Sequence, residues 1–367
     1  MGRYTIALTP VDKFFFGSDM FFGAEGRQDL NDKYKSYIIR SRMFPQQTSL
    51  LGMLRFLLLQ NDPGCFAEGR IINFDHAERL IGPKSFHVNS SESISGSGNN
   101  FGAIKSLTAC RIQMVKPNNQ IVDLRFEPLY QKSAPVWNDT CKAFFNHLTI
   151  DVPTLDYSAK EGGIEMTLTD GTDTFTLEGG DNGIFKEERR IGINRDINSG
   201  LTQDSALFKQ ISYRFNNTTQ HSFRFAFDAE IDGVEIMKYK GQMVSVGGDG
   251  SWFVLDIREQ ETPVSFNPPG DLLTLTLQSP SFIPKRALDH VKFAVTSLLP
   301  FCFMQSSVRG TTHYSILDRS YKRSQKKYSL YDTGSVFFFE SAYEKKSFET
   351  ILIEQSDFRQ IGYNEYK

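Results

Sequence analysis

Apolar and polar residues alternate with a period of two in several stretches of the chain, the spacing of half-buried strands. Tyr4 to Leu8 opens as one such strand. Ile164, Met166 and Leu168 alternate up to Asp170-Gly171, and Phe175 and Leu177 resume the period, which predicts a hairpin over 164–177. Phe223, Phe225, Phe227, Ala229 and Ile231 make a longer alternation ending at Asp232-Gly233. The turn Gly247-Gly248-Asp249-Gly250 feeds a strand from Trp252 to Ile257, and Leu272 to Leu277, Val336 to Phe339 and Phe348 to Glu354 read as further strands. Helical spacing is rarer. Leu50, Leu51, Met53, Leu54, Leu57 and Leu58 cover most of the circumference of a helix from Ser49 to Gln60, which should be largely buried. Pro45 precedes it, Thr48 or Ser49 can cap it, and Asn61-Asp62-Pro63-Gly64 stops it. A second helix is expected from roughly Lys285 to Leu299. Residues 26–35, and the Ser- and Gly-rich 89–102, read as loop or linker.

Strand, loop, buried helix and hairpins, then hairpins, strand, helix and strand, is the order of an α+β protein with sheets covered on one face. The natural candidate is two ferredoxin-like domains with inserted hairpins and loops. The polar turn Asn216-Asn217-Thr218-Thr219-Gln220 places the boundary, giving domains 1–215 and 216–367 that are free to interleave. A chain of 367 residues suits two domains or one large one.

Composition changes this picture little, with 40% hydrophobic and 23% charged residues. Phe stands out at 32, against 14 Tyr and 2 Trp, and favours sheet and large buried faces. The net charge of −2, from 41 Lys+Arg and 43 Asp+Glu, excludes a globally basic nucleic-acid binder but not a local basic groove. Cys65, Cys110, Cys141 and Cys302 are widely spaced, which points to buried free thiols in a reducing compartment and not to a zinc ribbon or a disulfide framework. Met1 to Leu8 shows no secretory signal, and Ile6 stands where a myristoylation pattern needs Ser or Thr. The apolar stretch 293–304 is broken by Thr296, Ser297 and Pro300, so a cytoplasmic location is expected.

Phosphate-loop, nucleophile-elbow and HExxH patterns are absent. Gly96 to Gly102 has loose dinucleotide-loop spacing but follows a Ser-rich loop, so it reads as linker. Asp75-His76 and Asp289-His290 set a carboxylate beside an imidazole, with capping or surface roles favoured over metal binding; neither metal nor cofactor is expected. The positive signal is cationic. Arg189, Arg190 and Arg195 surround Gly192, where they either meet phosphates bidentately or pair with Glu187, Glu188 and Asp196. Residues 319–328 interleave Arg319, Lys322, Arg323, Lys326 and Lys327 with Tyr321 and Tyr328 and carry no acid, a mixture suited to phosphate pairing and base stacking. Arg42 precedes the first helix, Arg55 lies among its leucines, and Lys285-Arg286 open the second.

Several of these segments, in this order, resemble the RAMP superfamily of CRISPR effector subunits, and within it the third Cmr protein of type III-B complexes. Leu8-Thr9-Pro10-Val11-Asp12 with Phe15-Phe16-Gly17 resembles the family's first strand and loop. Phe44 to Arg55 is similar to its FP-x-x-S-x-x-G-x-x-R helix, and Arg190-Ile191-Gly192-Ile193-Asn194-Arg195 to its RIGI-x-R segment. Val246 to Gly250 resembles its glycine turn, Leu277-Gln278-Ser279-Pro280 its L-x-S/T-P, and Gly334 to Glu340 its AGSV-Y/F-F-F-E strand. Asp332-Thr333 stands where the family has Pro-Ala, and the glycine-rich tail is reduced to Ile361-Gly362-Tyr363. The resemblance implies a subunit without catalytic activity that binds the 5′ tag of the guide RNA and bridges a large polymerase-like subunit to a backbone subunit. The RNA-contacting set would be Arg42, Arg55, Arg189, Arg190, Arg195, Lys285, Arg286, Lys322, Arg323, Lys326, Gly334 and Ser335. The rival reading is a metal-independent endoribonuclease of the same superfamily, using His313, Tyr314 and the run from Lys322 to Lys327 on repeat RNA.

Overall fold

The computed structural model describes residues 1–17, 20–22, 37–88, 99–128, 136–145, 148–154, 166–178, 183–195, 202–248, 250–260, 273–309, 322–324 and 327–367. The loop expected at 26–35, residues 89–98, Asp196, Asp249, His313, Tyr314 and Lys326 lie outside them. The chain is rich in strand and poor in helix, consistent with the α+β expectation.

An antiparallel seven-stranded sheet runs in the order Met243–Ser245, Trp252–Glu259, Gly2–Pro10, Ser222–Ile231, Arg111–Val115 and Ile121–Asp123, with Ile104–Leu107 also on Ser222–Ile231. It draws strands from both sides of residue 216. A second seven-stranded sheet holds Met20–Phe22, Tyr37–Arg40, Thr202–Phe215, Gly183–Arg195, Thr174–Glu178, Thr167–Thr169 and Arg125–Phe126 in that order. Two of its pairings are parallel. The expected hairpin is there as Thr167–Thr169 and Thr174–Glu178.

Phenylalanine joins the two sheets. Phe225 of the first lies 4.8 Å, centroid to centroid, from Phe215 of the second, and Phe14, Phe185 and Phe253 complete the layer. Ring pairs at these separations add to the burial itself. The other face of Ser222–Ile231 is also buried, but polar: Asp228 accepts from Thr5 and Arg111, and Arg224 reaches Gln113 and Asp256.

Helix α1, Gln47–Gln60, contributes its leucines to this core. Its N-cap is Gln46, without a side-chain cap, so Thr48 and Ser49 fall inside the first turn and do not cap it. Buried Gln47 instead donates to the carbonyls of Thr108 and Ile361 (2.8 and 2.7 Å) and accepts from the Cys110 amide. Gly362, at φ +86°, makes that approach possible, since a Cβ there would stand 2.2 Å from Gln47 Nε2. Helix α2 is Phe74–Ile81. Of the expected linker, 99–102 is packed: Asn99 bonds His87 and Asp357, and Phe101 is in the core, because one aromatic ring outweighs its polar neighbours.

Two helix–strand expectations are corrected. The predicted helix from Lys285 to Leu299 is one turn, α3 (Lys285–Leu288), followed by strands Phe293–Val295 and Leu298–Phe301. Val336–Phe338 and Tyr328–Tyr331 offer those β-branched and aromatic residues their backbone partners. The predicted strand from Phe348 to Glu354 belongs to helix α4, Ala342–Ile353, whose N-cap Ser341 accepts from the Glu344 amide. Phe348 and Leu352 face Leu275, Leu277 and Phe337 in a second, smaller core. Among the described residues no helix is long and apolar enough to cross a membrane, and Cys65, Cys110 and Cys302 are free.

Candidate functional site

Segments far apart in sequence meet at one cleft. The end of the Tyr37–Arg40 strand and the following 41–45 lead into α1; Ser279-Pro280 follow the Thr274–Thr276 strand; Asp332-Thr333 precede Val336–Phe338. All of them line a cavity of about 280 Å³, near the lower end of the range of ligand sites, roughly 300–1,000 Å³. Its walls are mostly apolar, from Phe44, Phe126, Met166, Leu177, Leu299 and Phe301. Its charged side chains are Arg40, Arg42 and Asp332, and Gln46 and Tyr213 are among its neutral polar ones.

The turn that presents Asp332 is tightly held. The Gly334 amide donates to Leu277 O, the Leu277 amide to Ser335 O, and Gly334 sits at φ +82°. Burial pushes the Asp332 carboxyl up from its ordinary range, against the Thr333 amide (2.8 Å) and the charge of Arg42. Arg42 donates to Pro300 O at 2.7 Å.

A second, more open cavity of about 650 Å³ shares Arg40 with the first and is lined also by Glu178, Phe185, Lys186, Glu187, Arg189, Arg214 and Asn216. Four cations meet two carboxylates there. Arg40 pairs with Glu187 and Glu178, Arg189 with Glu187 at 2.7 Å, and Arg214 with Glu188 at 3.0 Å. Glu187 is held below the usual carboxylate range: its burial acts the other way, and Arg189 and Arg40 outweigh it. Lys186 and Arg214 are directly opposite on adjacent strands, a like-charge pairing that costs stability. These partly exposed ion pairs are weak, about 0–1 kcal/mol each, so a phosphate can exchange for a carboxylate.

The structure distributes the cations singled out in the sequence. Arg42 lines the first cavity and Arg189 the second. Arg190, on the same strand, is exposed and lines neither cavity. Arg195 ends the Gly183–Arg195 strand and its side chain lies outside the described set, as do those of Lys322 and Arg323. Arg55 is turned inward: its Nε donates to Ile81 O at 2.7 Å, capping the end of α2, and burial lowers its pKa to about 10. Arg286 pairs with Glu354, and neither it nor Lys285 lines either cavity. Gly334 and Ser335 are buried and shape the wall through Asp332.

Sequence reasoning passes over Arg40, Lys186 and Arg214. The signal for Arg40 is its place beside Ser41-Arg42. For the other two it is recoverable only from the strand register.

A family model described as CRISPR-associated protein (Cas_Cmr3) matches residues 147–366. No curated protein matches the chain. Among solved structures, it is similar to a chain in the cryo-EM structure of type III-B Cmr-beta bound to cognate target RNA and AMPPnP, with 15% identity over 99% of this chain and 95% of that one and a TM-score of 0.49. A chain of the type III-A Csm3-Csm4 subcomplex matches at 10% identity over 92% of each, with a TM-score of 0.35.

Proposed function

The chain belongs to the Cas_Cmr3 family of CRISPR-associated proteins, and from that premise we propose that it is a subunit of a type III-B RNA-guided complex that clamps the 5′ tag of the guide RNA. In this role the RNA is held and left uncut, and the subunit bridges the large polymerase-like subunit to the backbone subunit. The observation that carries the reading is the shared Arg40, which joins an apolar cavity to a shelf bearing Lys186, Arg189 and Arg214. Single-stranded RNA is recognised by splaying bases into pockets while its phosphates are paired. The first cavity would take a base between Phe44, Phe126 and Phe301, with Asp332 facing its polar edge. Guanidinium forks suit the adjoining phosphates better than ammonium groups do.

The test is guide-RNA binding by the reconstituted complex. Arg40→Ala, Arg189→Ala and Arg214→Ala are each expected to weaken tag binding roughly tenfold, the scale of one charged hydrogen bond. Each should also lower the salt slope of the binding constant by about 0.7 for every phosphate that its removal leaves without a cation. Unchanged affinity and slope in all three would overturn this site. Cleavage of repeat RNA by the purified chain in the absence of metal would overturn the holding role.

A further inference from the structure

Away from both cavities, and outside residues 147–366, α1 runs out into a tight turn that faces α2. The Cys65 and Phe66 amides both donate back to Asp62 O, at 3.1 and 3.0 Å, which folds Cys65 towards the Asp62 side chain. His76 arrives from the first turn of α2, where Asn73 caps its amide at 3.1 Å. A carboxylate oxygen, a thiol sulfur and an imidazole nitrogen thereby lie within 4.8 Å of one another.

We propose that Asp62, Cys65 and His76 bind a thiophilic divalent cation of the zinc class, which ties the end of α1 to the start of α2. His76 Nε2 and Asp62 Oδ2 are 3.1 Å apart, close to the edge of about 3.3 Å expected for a tetrahedron with bonds of about 2.0–2.1 Å. Asp62 Oδ1 accepts from the Gly64 amide at 2.9 Å, a second contact that orients the carboxylate as metal sites require. An Asp–His ion pair would account for two of the three groups, but not for a fully buried thiol within reach of both. Thiolate with imidazole selects zinc over calcium or magnesium, which take oxygen ligands.

Charge balances as well. The cation displaces the Cys65 proton to solvent; one thiolate, one carboxylate and a neutral imidazole then leave the cluster uncharged. Without a cation, burial and the neighbouring Asp62 keep the thiol protonated, pushed up to about 11. The Asp62 and His76 side chains are 27% and 37% exposed, so the ion can enter from solvent and water can complete the coordination.

The experiment uses the full chain, stripped with a chelator and titrated with cobalt(II) and then zinc(II). One equivalent of cobalt is expected to bind with a thiolate-to-metal charge-transfer band and release of a proton, and zinc should displace it and raise the melting temperature. Cys65→Ser and His76→Ala should abolish the band. His76→Ala leaves the core untouched and decides the matter if Cys65→Ser fails to fold. No band in the wild-type chain, or an undiminished one in His76→Ala, would reduce the cluster to an ion pair over a buried thiol.

Discussion

Glu365 offers one carboxylate oxygen to the Ala109 amide at 2.7 Å and buries the other without a partner among the described residues. Burial, with Asp228 nearby adding to it, pushes the carboxyl from the ordinary glutamate value of 4.5 up to about 7, while the Ala109 amide and Arg111 act against the rise. The folded chain therefore holds this proton more tightly than the unfolded chain. Its contribution is complete below pH 4.5, is lost as pH rises towards about 7, and is level above that. The loss is roughly 3 kcal/mol at most. Glu365→Gln keeps the acceptor for Ala109 and removes the titration. Denaturant midpoints across this pH range should fall for the wild-type chain and stay flatter for the variant, which should be the more stable of the two near pH 8.

At the scale of elements, α4 shows what a start signal is worth. Ser341 caps it through the Glu344 amide, while the Glu344 side chain turns to His290 and does not reach back as in a full capping box. Ser341→Ala should cost about 1 kcal/mol and Ser341→Gly only a few tenths, read from urea unfolding. The Ser-x-x-Glu spacing is present in the sequence, but the stretch 348–353 reads as a strand because Phe, Thr, Ile and Leu suit either element. A strand that keeps a clean period of two, such as Trp252–Glu259, is legible because one face is buried and the other is not. The 285–299 stretch is illegible for the opposite reason: its conformation is decided by partners far downstream, at 328–331 and 336–338. The site divides the same way. Arg42 stands out as a cation beside Met43 and Phe44, and Arg189 as one of a cluster of arginines, but the inward turn of Arg55 depends on where α2 ends, which no local pattern records.

On the scale of the whole molecule, the Gly2–Pro10 strand is flanked on both sides by strands from beyond residue 216. Fragments 1–215 and 216–367 would each leave long apolar edges and faces without partners. Neither fragment alone is expected to unfold cooperatively by circular dichroism, whereas the two expressed together should recover a cooperative transition. A pair of sharp, independent transitions would show that the interleaving is not needed for folding.

Phe44 belongs to the interior and to the cleft at once: it lines the smaller cavity and touches Phe126, Phe185 and Phe225 at ring separations of 5.4, 5.8 and 6.0 Å. The rings act as shims. They set the spacing of the two sheets, and the same spacing holds the cleft open, so a planar group of the kind proposed above would meet a slot already cut to width and forfeit little affinity to rearrangement.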